Sequence, residues 1–507
     1  MQLMTKALPT ESLAQAVTAH GPVRGLRDGD IEVYLGVPYA APPVGPRRLR
    51  PPERPEPWQH VRDATRPGPT AARAPYVPAY EGVVPELLAP GDDHLHVNIW
   101  TPGRGQARPV LFWIHGGAFT NGSNALPLYD GAAFARDGVV VVSVNYRLGA
   151  EGWVHFDGND SEASNLGLRD VLAALAWVRD NIAAFGGDPA RVTVAGQSAG
   201  AMLATTLLAV PAARGLFHRL IAHSGAAANT ITPDQARVVR TQLAARAGVE
   251  PTVAGFASVA PERLAQHARD LLHEVQTAAD PAIWGGLALS TLPFAPVVDG
   301  SVVSTDPRSA VASGAAADIA ILAGSNVEDA RLILAASGAI DLIDEATLLA
   351  ASTSYGLDAA AVETYRSARP RASSGDLLAA VVTDWFFRIP AIRLAETQAA
   401  TGGQAWAFRF DWRSPALGGK LGSAHAVDLP FVFATHRHPG SHLLTGPDAP
   451  DAVARTTHEM YRAFVVEGDP GWTRYDTTTR TTGLLARERT VVEDPDSAER
   501  LLWKGLR

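Results

Sequence analysis

One serine stands where a nucleophile needs to stand. In Gly196-Gln197-Ser198-Ala199-Gly200 it is flanked by small residues, with the apolar run Val192 to Ala195 before it and the helical run Ala201 to Leu208 after it. A strand that turns sharply into a helix forces its central residue into a strained backbone conformation, and the flanking glycines give neighbouring backbone room. The spacing predicts an exposed Ser198 hydroxyl at a helix N-terminus, poised to attack a carbonyl carbon. There the Ala199 amide would donate to the oxyanion formed by the attack.

A second segment fits the same chemistry. Trp113-Ile114-His115-Gly116-Gly117-Ala118-Phe119 ends a strand in a glycine turn, which suits amides aimed into a pocket at a sheet edge. Gly117 and Ala118 are the expected oxyanion donors, and Gly116 permits close approach. His115 precedes the nucleophile, whereas the order in such folds is serine, acid, histidine, so it is read as a packing residue of the loop. The base is sought among His425, His436, His438, His442 and His458.

The elements that must carry these residues follow from the apolar pattern. Val110 to Ile114, Val139 to Asn145, Val192 to Ala195, Ile319 to Ala323 and Trp406 to Trp412 read as strands, the last as the final one. Between the second and third, Leu168, Val171, Leu172, Leu175, Val178 and Ile182 recur every three or four residues, predicting an amphipathic crossover helix. Alternation of this kind buries a mostly parallel sheet between helices, an α/β class. Residues 66–91 are rich in Pro, Gly and Ala without period, and about 234–290 and 335–400 read as helical insertions over the site. With no internal repeat and no flexible linker, residues 1–507 are expected to form one catalytic domain.

Composition removes several functions. A net charge of −8, with no local cluster of Lys and Arg, argues against nucleic acid as a partner. The chain has no cysteine, so disulfides, thiolate metal sites and cysteine nucleophiles are excluded. The run Met1 to His20 lacks the unbroken apolar core of a secretory leader, and no stretch reaches the length of a membrane helix. A cytoplasmic protein without a membrane partner is the expectation. His436, His438 and His442 lie among Arg437, Pro439 and Gly440 with no apparent acidic partner, and no metal is expected there. His94 and His96 are read as exposed or satisfied histidines.

Together these motifs resemble the type-B carboxylesterase family, which includes bacterial para-nitrobenzyl esterases and the cholinesterases. Gly36 to Gly45 (GVPYAAPPVG) resembles its N-terminal signature, and Asn165 to Asp170 with Phe185 to Pro189 resembles the lead-in to its nucleophile. The resemblance implies an α/β-hydrolase fold and a Ser198, acid, His425 triad. His425 lies in the small-residue loop Gly422 to Ala426, beyond the Trp406 strand, which resembles the family's base motif. The family usually shows Asp-Glu-Gly after the preceding core strand. Here Glu328-Asp329-Ala330 reverses the acids, so Asp329 takes the position of the family's glutamate and Glu328 is the alternative acid. Ser224 matches a family serine that supports the triad. Phe119, Trp284 and Phe294 are expected in the walls of the substrate gorge.

What the resemblance implies is a serine esterase; its mechanism needs no cofactor, the abundance of alanine and arginine points to a bacterial source, and a monomer or weak homo-oligomer is expected. It would cleave small uncharged esters of short acyl groups, alkyl or aryl alcohols, with water as second substrate. A specialised natural or xenobiotic ester, amide or carbamate is the neighbouring reading. A different class, a catalytically weak or inactive cholinesterase-like binding protein, is disfavoured because Ser198 and His425 are both present.

Overall fold

The computed structural model describes residues 13–80, 82–278 and 280–507. Residues 1–12, on which much of the leader reading rests, lie outside that set. Strands β1 (Leu13–Thr18), β2 (Gly21–Asp28), β3 (Ile31–Pro38), β4 (Arg62–Asp63) and β5 (His96–Thr101) form an N-terminal, largely antiparallel portion. The core follows with β6 (Arg108–Ile114), β7 (Val140–Val144), β8 (Gly187–Gln197), β9 (Arg219–His223), β10 (Ala320–Asn326) and β11 (Ala405–Phe410). Beyond the strand expected to be last lie β12 (Thr481–Leu485) and β13 (Arg489–Glu493). All belong to one sheet, ordered β1-β2-β3-β5-β7-β6-β8-β9-β10-β11-β12-β13, with β4 pairing β2. From β7 to β12 every neighbour is parallel.

Strand β6 shows why these sequences make this sheet. Its run Val110-Leu111-Phe112-Trp113-Ile114 is fully buried, as a central parallel strand must be when helices cover both faces. Val110, Phe112 and Ile114 join the core that contains Leu168, Val171 and Leu175 of helix Leu166–Asn181. Leu111 and Trp113 face the opposite core, with Met460, Tyr461 and Phe464 of helix Asp451–Glu467. The period of two thus splits one strand between two helical layers.

A buried ion pair locks the crossover helix to the sheet edge. Asp170 accepts from the Arg147 backbone amide, Nε and Nη2 at 3.0, 2.8 and 2.6 Å, and both side chains are sealed from solvent. Removing one partner of such a pair costs about 3–5 kcal/mol, because the other charge stays buried.

Helices Pro233–Ala247, Pro261–Ala278 and Leu287–Ser290 follow β9, and helices from Arg331–Ala336 to Ile389–Ala400 separate β10 from β11. Within the second group, Asp384–Arg388 is a π-helical turn. Among the described residues no helix is long and apolar enough to cross a membrane.

Candidate active site

The loops at the C-terminal ends of β6, β8, β10 and β11 converge on one cavity, as expected for an open parallel sheet, and the loop after β9 backs it through Ser224. β8 ends at Gln197, Ser198 takes φ 59° and ψ −132°, and helix Ala199–Thr206 starts at the next residue. That conformation costs roughly 1–3 kcal/mol and persists because both sides hold it. The Ser198 amide donates to His223 O at 3.0 Å, and Ser198 O accepts from the Met202 amide at 3.0 Å. Gly200 is required for the fit, since a Cβ there would lie 2.0 Å from Ile114 O.

The loop after β6 is equally constrained. Gly117 at φ 125° is followed by Ala118 and Phe119, both at positive φ, and Gly117 O accepts from the Thr120 and Asn121 amides. Among the described residues nothing accepts from the amides of Gly117, Ala118 or Ala199. All three residues line the cavity that Ser198 lines. Unpaired donors around a serine are what an oxyanion needs. His115 props this loop from behind: it is buried, stacks on Tyr146 at 4.6 Å, and burial pushes its imidazole down to about 4.

His425 enters from the loop after β11. Its Nδ1 donates to Asp329 Oδ1 at 2.8 Å, which leaves the Nε2 lone pair toward the cavity. The Asp329 carboxylate is fully buried; its Oδ2 accepts from Ser224 Oγ at 2.9 Å and the Asn326 amide at 3.0 Å. Burial raises its pKa above the ordinary carboxylate value, against the downward pull of the His425 and Ser224 hydrogen bonds. Glu328 turns the other way. Its Oε1 accepts from Arg413 Nη2 at 2.9 Å and its Oε2 from the Ser423 amide at 3.0 Å, so it braces the loop that carries His425.

Known proteins share this architecture. The sequence profile of the carboxylesterase family matches residues 12–493. The chain belongs to the carboxylesterase family. It is 35% identical to the para-nitrobenzyl esterase of Bacillus subtilis, over 95% of this chain and 97% of that one. It is 36% identical to the phenmedipham hydrolase of Pseudarthrobacter oxydans, over 90% of each. The crystal structure of a Geobacillus stearothermophilus carboxylesterase at pH 6.2 superposes with a TM-score of 0.83 at 33% identity, covering 96% of this chain and 99% of that one. This carboxylesterase is a carboxylic-ester hydrolase of the α/β-hydrolase fold.

The walls of the esterase's cavity differ from expectation. Phe119, Trp284 and Phe294 are buried in the core, Phe119 against Trp153 at 5.0 Å between ring centres, and none lines the cavity. Its volume is about 190 Å³, and the aromatic walls are Tyr76 and Tyr80 from the irregular 66–91 segment, Tyr129, and Phe386 and Phe387 from the π-helical turn. The Phe387 ring lies 4.8 Å from that of His425. Both phenylalanines lie within the π turn, the kind of helix irregularity that often sits at functional sites.

Two features of the esterase had no sequence reading. The Gln197 side-chain nitrogen sits 3.2 Å from His425 Nε2, donating to the lone pair that a serine hydroxyl must reach. Behind the site lies a second histidine–carboxylate pair. His223 Nε2 donates to Asn326 Oδ1 at 2.8 Å, and its Nδ1 lies 3.1 Å from Tyr461 Oη and 3.4 Å from Asp428 Oδ2. Asn326 Nδ2 donates to Asp428 Oδ1 at 2.8 Å and Ala424 O at 2.7 Å.

Three further histidines singled out in the sequence, His94, His96 and His436, lie away from the cavity. His436 has the acidic partner that sequence reading missed: its Nε2 lies 2.7 Å from Asp451, which Arg437 also holds. Among the described residues no group of three or more His, Asp or Glu could hold a metal ion. His94 and His96 are buried, not exposed, and His96 Nε2 meets Pro69 O at 2.9 Å.

Proposed function

We propose that Ser198 is the nucleophile of this carboxylesterase, with His425 as base, Asp329 as acid, Gly117, Ala118 and Ala199 as oxyanion donors, and Ser224 as support for the acid. The observation that carries the reading is the Asp329–His425 contact of 2.8 Å, because it fixes the tautomer and leaves Nε2 in a cavity shared with Ser198 and three unpaired amides. His425 would displace the Gln197 amide as it accepts the proton of Ser198 Oγ, which attacks the ester carbonyl. The oxyanion collapses, the C–O bond to the alcohol breaks, and His425 returns the proton to the departing alkoxide. Water, deprotonated by the same imidazole, then attacks the acyl-enzyme, and the acid leaves as Ser198 recovers its proton.

Around the scissile bond the walls are apolar and aromatic, which favours uncharged ester groups with short acyl or aryl parts. The helical stretches of about 234–290 and 335–400 are read as insertions of one catalytic unit. This mechanism uses no cofactor, and a cytoplasmic location is part of the same proposal.

The test is hydrolysis of para-nitrophenyl butyrate, together with covalent capture by a fluorophosphonate. Wild type is expected to turn over the ester and to carry the phosphonyl group on the peptide containing Ser198. Ser198→Ala should lose at least about 10⁴-fold in kcat and take no label. Labelling elsewhere, or activity surviving in Ser198→Ala, overturns the assignment.

A further inference from the structure

We propose that the cavity holds a recognition site for a carboxylate carried by the substrate away from its ester group, formed by Arg269, His273 and Gln276. The inference rests on the esterase reading above and names a substrate class for it. Helix Pro261–Ala278 buries Leu264, Ala268, Leu271 and Val275 in the core. Arg269, His273 and Gln276, at i, i+4 and i+7, lie along one side of the helix and line the cavity together with Leu272.

Charge decides what this strip recognises. Among the described residues the only carboxylate lining the cavity is Asp329, which is sealed and held by His425, Ser224 and the Asn326 amide. Arg269 is the only guanidinium there, and its one ion pair is with its chain neighbour Asp270, both side chains being about a third or more exposed. Such a pair is worth only about 0–1 kcal/mol, so the guanidinium is free to exchange partners. Its planar fork suits a carboxylate, to which His273 and Gln276 add donors from the next turns. A cation at the same place would meet Arg269 with no lining acid to offset it. The cavity is thus graded: apolar at the scissile bond, cationic along one wall.

Three para-nitrophenyl esters of one acyl length test this, ending in a methyl group, a carboxylate (adipate monoester) or a trimethylammonium group. The quantity read is kcat/KM for each charged ester divided by that for the methyl-ended one. In wild type the carboxylate ester should exceed the trimethylammonium ester by about tenfold, the worth of one charge-assisted contact. The gap should narrow in about 0.5 M salt. In the Arg269→Gln, His273→Gln double variant it should close. A gap that survives the double substitution, or is absent from wild type, overturns the carboxylate site and leaves the esterase reading intact. Failure of wild type to cleave any of the three esters overturns the esterase reading itself.

Discussion

Two histidine–carboxylate pairs sit back to back in this esterase, and one faces the cavity while the other is sealed. His425 with Asp329 and His223 with Asp428 are joined through Asn326, whose backbone amide serves Asp329 and whose side chain serves both His223 and Asp428. In the sealed pair both imidazole nitrogens have protein neighbours, and His223 and Asp428 are inaccessible to solvent. In the open pair Nδ1 is spent on Asp329, while Nε2 has only the neutral Gln197 amide beside it. The residue types are the same. What separates a base from a structural strut is one lone pair that a cavity reaches and that only a neutral, displaceable amide holds.

Substituting each histidine tests that distinction most strongly. His425→Ala should cut kcat by about 10⁴-fold while leaving the thermal midpoint little changed. His223→Gln should do the reverse: hydrolysis within about tenfold of wild type, with a loss of about 2–3 kcal/mol of stability because Tyr461 and Asn326 lose a buried partner. Initial rates and thermal melts of both variants decide it. Comparable catalytic losses would mean that the two pairs act as one unit.

Next in size is the contrast between adjacent acids. Asp329→Asn keeps the shape but cannot hold His425 in the required tautomer, so a loss of about 10³- to 10⁴-fold in kcat is expected. Glu328→Gln weakens a brace between Arg413 and the Ser423 amide and should cost no more than about threefold. A larger loss for Glu328→Gln would move the acid by one residue.

How far this was legible in advance depends on whether local or distant residues set the geometry. The turn at Ser198 is legible because strand, glycine spacing and helix are contiguous in sequence, and the core strands β6, β7, β8, β10 and β11 are legible because central parallel strands are runs of apolar residues; β9 escaped, with only three apolar residues between Arg219 and His223. β12 and β13 escaped, since Thr481-Thr482-Gly483 and the exposed Arg489–Glu493 carry little apolar signal. The aromatic walls escaped for another reason. Phe119 adjoins the oxyanion loop in sequence, yet its positive φ coincides with a side chain packed on Trp153 in the core. Tyr76 and Tyr80 come from a segment without period, and Phe386 and Phe387 reach the cavity through a π turn that no spacing announces. Asn326 and Gln197 hold positions next to expected residues, but their partners lie about a hundred or more residues away.

The smallest effect concerns what the open pair does to the fold. Burial raises the pKa of Asp329 above the 3.8 of an ordinary aspartate, so the folded protein binds this proton more tightly than the unfolded chain does. Between those two values folding takes up a proton, and this group's contribution to stability falls as the pH rises through that window, then stays level above it. Asp329→Asn has no such proton. The unfolding free energy of wild type minus that of Asp329→Asn, from urea titrations between about pH 4 and about pH 7, should therefore decline with rising pH. A difference that instead grows with pH would mean that the ionised carboxylate is held more firmly by His425, Ser224 and the Asn326 amide than burial opposes it. The buried acid would then stabilise the fold that positions it, and the open pair would differ from the sealed one in access to the cavity alone.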